Sequence, residues 1–276
     1  MKKALYFFCL FFASTSLLAQ NEPTKKEQRK QRKQEQLNQT NRYFVLEVLG
    51  TYRNVQDLAT SNQIYNGFGG GIGFGGFQMR NNNIQEFRGR GGYNGISSRA
   101  GVSTDDFWGN FSYVYLRKLK NPKFFLGGQA NFLSQVRYTD ILSNSSLHWE
   151  LVGSLGITAR AQSPFTIPLL KKQVATYAQV YLPLIAYVSR PIYGVTVSGE
   201  MEHYVSALGR LGNTSMEFGM HFPIRKNNAN RLRISYQWDF LRWRDNEVHK
   251  VVTGQHAISI GLLVSMIQAE NISPNL

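Results

Sequence analysis

"RLRISYQWDF", residues 231–240, alternates without a break: Arg231, Arg233, Ser235, Gln237 and Asp239 against Leu232, Ile234, Tyr236, Trp238 and Phe240. A period of two sends successive side chains to opposite faces of an extended chain. The stretch therefore reads as a β-strand with one apolar and one polar face. In a soluble sandwich the apolar face would line a core and the arginines would meet water. In a membrane barrel the apolar face meets lipid and the arginines point into the lumen. The rest of the chain decides between the two.

The same alternation recurs in ten further segments from Arg42 to Met266. Phe44, Leu46 and Val48 oppose Tyr43 and Glu47; Glu86, Arg88, Arg90 and Asn94 oppose Phe87 and Tyr93. Phe124, Leu126, Phe132 and Val136 oppose Gln129, Asn131, Gln135 and Arg137, and Ile258, Ile260, Leu262 and Val264 oppose Ser259 and Gly261. The segments are as long as a tilted membrane-crossing strand requires. Turn signals separate them, among them "RNNN" at 80–83, "KNPK" at 120–123, "SNSS" at 143–146 and "RKNNAN" at 225–230. Pro183, inside a strand pattern, predicts a bulge.

Composition separates the two geometries. Charged residues make up 17% of the chain and aromatic residues 13%, with 25 glycines. A soluble sandwich usually turns Lys, Glu and Thr outward. Here the polar face carries Gly, Ser, Gln and isolated charges of both signs, which suits a narrow lumen filled by side chains. The other face is dense in Phe, Tyr, Trp and Met, which suits a lipid wall with aromatic girdles. The arginines of 231–240 are thus expected inside a barrel.

The amino terminus agrees. "MKKALYFFCLFFASTSLLAQ" has a basic start, an apolar run and small residues before a cleavage point after Ala19, so residues 1–19 read as a signal peptide. The only cysteine, Cys9, lies within it, which leaves no disulfide, zinc–cysteine site or thiol chemistry for the mature chain. Residues 20–41 form a basic, polar tail with no apolar face to bury, suited to attract an anionic envelope polymer. The formal net charge of +14 concentrates in the leader and tail and otherwise scatters, so no nucleic-acid surface is implied.

With these features the chain resembles Gram-negative outer-membrane β-barrel proteins over roughly residues 42 to 267. The resemblance implies an all-β fold: one closed antiparallel transmembrane barrel spanning 42–276, localised to the outer membrane. It also implies outer-membrane lipids and the barrel insertion machinery as partners. Eleven segments are countable, and single-chain bacterial barrels have even strand numbers, so twelve strands are expected, with ten as the alternative. The final strand is followed by a polar extension, "IQAENISPNL" (267–276), in place of the terminal aromatic residue common in such barrels.

Candidate sites are few. "GFGGGIGFGG" (67–76) lacks the Lys-Ser/Thr pair of a phosphate loop, and its alternate glycines predict a bare inner strand face that another element approaches closely. The region 200–222 faintly resembles the His/Ser/Glu arrangement of outer-membrane lipid A deacylases and phospholipases, through His203, Ser206 and Glu217. Those enzymes space His and Ser by two; here the spacing is three, which puts them on opposite faces. A lumen ion-pair cluster is the stronger expectation, with Glu202 opposite Glu217, Arg233 diagonal to Glu217, and His221 opposite Arg231. No cofactor and no metal site is expected. Trp149 and Trp238 should face out, Trp108 in, and Trp243 should settle at a membrane interface. The expected function is non-enzymatic, an envelope structural component or a narrow pore for small polar solutes, with an acyl hydrolase as the alternative.

Overall fold

The computed structural model describes residues 41–58, 61–80, 82–140, 147–167, 172–191, 201–207, 211–224, 230–244 and 250–266. The leader and the tail up to residue 40 lie outside the described residues, as does the extension after 266. The described residues form eleven strands. They are β1 (Asn41–Asp57), β2 (Ile64–Arg80), β3 (Asn83–Ser98), β4 (Ser103–Lys118), β5 (Phe124–Tyr138) and β6 (Leu147–Ile167). The remainder are β7 (Lys172–Pro191), β8 (Met201–Ala207), β9 (Leu211–Pro223), β10 (Arg231–Arg244) and β11 (Lys250–Ser265).

Each strand from β1 to β7 pairs antiparallel with the next, and β11 pairs back onto β1 from Tyr43↔Ser265 to Asp57↔Val251. The sheet is thereby closed through β1 and β11, which a bilayer demands of a spanning sheet. β7 is shared. Its first half, Ala175 to Tyr181, pairs with β9, and its second half, Ile185 to Pro191, pairs with β8. β8 and β9 thus lie along one side of β7, so the ring has ten staves and not twelve. The alternation in 195–206 looks like a full crossing in sequence because period two does not reveal which neighbour a strand takes. Opposite this break, the β6–β7 register shifts between Leu155 and Gly156, beside Pro183, and Leu184 and Ile185 both face outward.

The faces sort as the periodicity implies. Outward positions expose Phe44, Leu46, Phe68, Ile72, Phe74, Phe107, Phe132, Leu155, Ile157, Phe218, Ile258 and Ile260, with Phe68 77% exposed. A belt this wide of bare aromatic and aliphatic rings is excluded from water in a soluble protein and is at home against acyl chains. Toward the end opposite the termini, Tyr52, Phe68, Trp238 and His256 form an aromatic rung, with Tyr52 and Phe68 centroids 4.9 Å apart. Tyr236 shares a hydrogen bond of 2.7 Å with His256 Nδ1, which satisfies both polar tips on the outward face.

Trp108 is buried inside, as expected. Trp243 is a correction: it is 2% exposed and faces inward, because β10 stays regular to Arg244 and position 243 keeps the phase of Arg233 and Leu241. The Arg190 guanidinium lies over its ring at 4.9 Å. Single-tryptophan variants in brominated lipid should therefore show Trp149 and Trp238 strongly quenched and both Trp108 and Trp243 protected. Quenching of Trp243 as strong as that of Trp238 would contradict this inward placement.

Candidate functional site

The lumen is layered. At the end where β1 begins and β11 finishes, Tyr43, Val45, Phe77, Ile84, Val114, Leu116, Phe125 and Leu263 pack into one buried apolar cluster. Phe77 of β2 meets His221 of β9, on the opposite wall, edge-on at 5.7 Å. The lumen is shut here by carbon.

The next layer holds the charge. One rung runs Arg233, Gly261, Glu47, Gly73, Arg90 across β10, β11, β1, β2 and β3. The two glycines beside Glu47 have no side chain, so each arginine can cross the adjacent strand and reach the same carboxylate. Arg233 donates to Glu47 Oε2 at 3.0 Å, and Arg90 donates to Glu47 Oε1 at 2.5 Å. A second rung links opposite walls. Arg88 of β3 donates to Glu217 of β9 at 2.8 Å and also pairs with Glu86 on its own strand. Arg233 reaches Glu86 at 2.7 Å, and Arg160 of β6 approaches the other Glu86 oxygen at 3.5 Å.

Tyr177 donates its hydroxyl to Glu217 at 2.7 Å, and Arg160 covers its ring at 4.0 Å. Arg90 also bonds the Gln237 amide oxygen. Four arginines meet three glutamates here, all buried. Buried charges persist only when paired with good geometry, and this network provides the pairs.

A further charged layer lies toward the opposite end. Arg53, wholly buried, pairs with Asp106 at 3.0 Å; Arg137 and Arg190 converge on Asp57 at 3.3 and 3.4 Å. Glu150 lies 3.9 Å from Arg137. Apolar groups close this end too: Val152, Ala186, Val188, Leu241, Trp243 and Val251 form one cluster, and Val55, Tyr65 and Ile96 another. Among the described residues, two adjoining cavities of about 30 Å³ each lie between the charged layers. Both are bordered by Arg90, Asn110, Asn131, Gln237 and Asp239. Each has room for a water or two and for no larger solute.

The expected cluster is partly redrawn. Glu217, His221 and Arg233 face inward and are buried, and Arg231 is half-buried. Their register differs by two residues from that expected: His221 lies opposite Arg233, Arg231 opposite Pro223, and Glu217 opposite Gln237. Glu202 does not face Glu217. It pairs with Arg190 of β7, because β8 and β9 follow one another along β7 and do not form a hairpin; its side chain lies outside the described residues. The charged partners of Glu217 and Arg233 come instead from β1 and β3, through Glu47, Glu86 and Arg88.

The hydrolase arrangement is not assembled. His203 is exposed on the outer face, stacked on Tyr187 with a shared hydrogen bond of 2.7 Å, while Ser206 is buried inside and Glu217 is held by Arg88 and Tyr177. Among the described residues no group of three His, Cys, Asp or Glu side chains could hold a metal.

No family model and no curated protein matches the chain. Solved structures do resemble it. Neisserial surface protein A shares 12% identity over 79% of this chain and 96% of its own, with a TM-score of 0.37. The outer-membrane protease OmpT from Escherichia coli shares 8% over 82% and 96%, with a TM-score of 0.46. The translocator domain of the autotransporter NalP from Neisseria meningitidis shares 8% over 86% and 95%, with a TM-score of 0.41. At such identities the likeness concerns the fold alone; that this chain is a closed antiparallel β-barrel stands on its own strand pairing.

Proposed function

We propose that the protein is a non-enzymatic, structural barrel of the outer membrane that passes no solute in its resting form. The observation that carries this reading is the filled lumen. Apolar clusters pack at both ends, and among the described residues the arginine–glutamate layers between them border two cavities of about 30 Å³ each. A pore needs a continuous hydrated path, and a constriction of packed carbon resists wetting. In this reading a cleaved leader exports the chain, the insertion machinery places it in the membrane, and the basic tail meets anionic envelope polymer.

The purified protein in planar bilayers should give no discrete conductance steps, and it should release no fatty acid from lipid A or phospholipid. Steps present in every preparation would end the sealed-barrel reading. The narrow-pore reading has one supporting feature. The adjoining polar cavities share an amide-lined wall, so any path would have to open there, between Arg90 and Gln237.

A further inference from the structure

The end of the barrel where β1 begins and β11 finishes has a one-sided charge among its described residues. Arg42 ends the outward face of β1, Arg80 that of β2, and Arg117 that of β4, while Lys118, Lys120 and Lys123 lie at the β4–β5 turn. All but the half-buried Lys118 are exposed. Along the same margin, residues 41–46, 76–84, 115–125 and 262–266 contain no Asp or Glu. The ladder makes these positions neighbours: Arg80 pairs with Asn83, Asn83 pairs with Arg117, and the Lys118 amide donates to the Asn82 carbonyl at 2.8 Å.

Their depth is set by what lies above them. Arg42 follows the face of Phe44, Arg117 that of Tyr115, and Lys123 directly precedes Phe124. Each cation thus sits just past an aromatic ring at the edge of the lipid-facing belt, the depth of lipid headgroups. Beside Lys123 the wall is notched. A groove of about 670 Å³ runs over Ala161, Ser163, Thr176 and Ala178, walled by Phe124 and by Phe218 and Tyr236. Its floor is small residues between large ones, a shape that takes a chain of methylenes.

We infer that this margin binds anionic phospholipid, with phosphate at Lys120 and Lys123 and one acyl chain of the same molecule lying in the groove. An anionic polymer would meet the rim charges but would have no use for an apolar groove on the lipid side. The inference rests on the lipid-facing reading of the wall and is separable from the sealed lumen, which it does not need.

The test is native mass spectrometry of the detergent-solubilised full chain, offered phosphatidylglycerol and phosphatidylcholine of identical acyl chains. Folding of every variant is first verified by its gel mobility before and after heating. Wild-type protein should retain one phosphatidylglycerol in preference to phosphatidylcholine. Lys120→Gln and Lys123→Gln should each lower that preference about fivefold. Ala178→Phe, which fills the groove and leaves the charge, should lower retention of both lipids. Equal retention of the two lipids by wild type would overturn the inference. So would displacement of the bound lipid by soluble glycerol phosphate or by a soluble anionic glycan at equal concentration.

Discussion

Arg233→Ala is expected to lower the unfolding free energy by about 3–5 kcal/mol, the usual loss when one partner of a buried ion pair is removed. Among the described residues Arg233 is the one side chain that bonds both Glu47 and Glu86, at 3.0 and 2.7 Å, from the wall opposite β3. Without it the two carboxylates keep Arg88, Arg90 and Arg160 but lose the cation between them. Urea unfolding of protein refolded into phospholipid vesicles measures the change. Conductance should stay at baseline, because the apolar clusters at both ends are untouched. Adding Glu47→Gln and Glu86→Gln should deepen the loss, since Arg90 and Arg160 then lose the carboxylates they pair with. Unchanged stability in Arg233→Ala would mean that the network holds nothing together.

Gly69→Ala is expected to prevent barrel closure outright. A Cβ at Gly69 would lie 2.0 Å from the Tyr93 carbonyl oxygen and 2.3 Å from Asn94 Oδ1. Real Cβ atoms do not approach backbone so closely, and the carbonyl belongs to the β2–β3 ladder, so it cannot move without breaking that ladder. Asn94 is itself fixed, accepting from Thr51 at 2.5 Å and donating to Asp106 at 3.2 Å. The variant should lack the fast-migrating unheated gel band of a folded barrel. Gly76→Ala, on the same strand with nothing within 4 Å of the added carbon, should keep it. If Gly69→Ala and Gly76→Ala fold equally well, the close approach of β2 and β3 is not what closes this wall.

The amino-acid sequence alone determined the strand periodicity, the two faces and their environments. Alternation is local: which side of a strand a residue takes depends only on its parity within that strand. Trp108 inside, Phe68 outside and the bare inner face of β2 were therefore all legible. Trp243 was misplaced only because its strand was taken to end too soon. The opposite faces of His203 and Ser206 followed from the same parity.

Partners across the lumen are another matter. Glu86 meets Arg233 across 147 positions and Asp57 meets Arg190 across 133, distances that no periodic pattern spans. Their meeting depends on ring size and stagger, and those depend on β8 and β9 sharing one side of β7. Treating β8 and β9 as neighbouring staves set Glu202 against Glu217, and a separate misplacement of the β9–β10 turn moved the partner of His221 by two residues. The second charged layer, around Arg53, Asp57 and Asp106, drew no notice in sequence because its members are single charges on separate strands. One local trace of the network did exist: glycine at 73 and 261, flanking Glu47 on both neighbouring strands. It becomes readable only once the ladder sets those three side by side, because an empty position matters only for what crosses it.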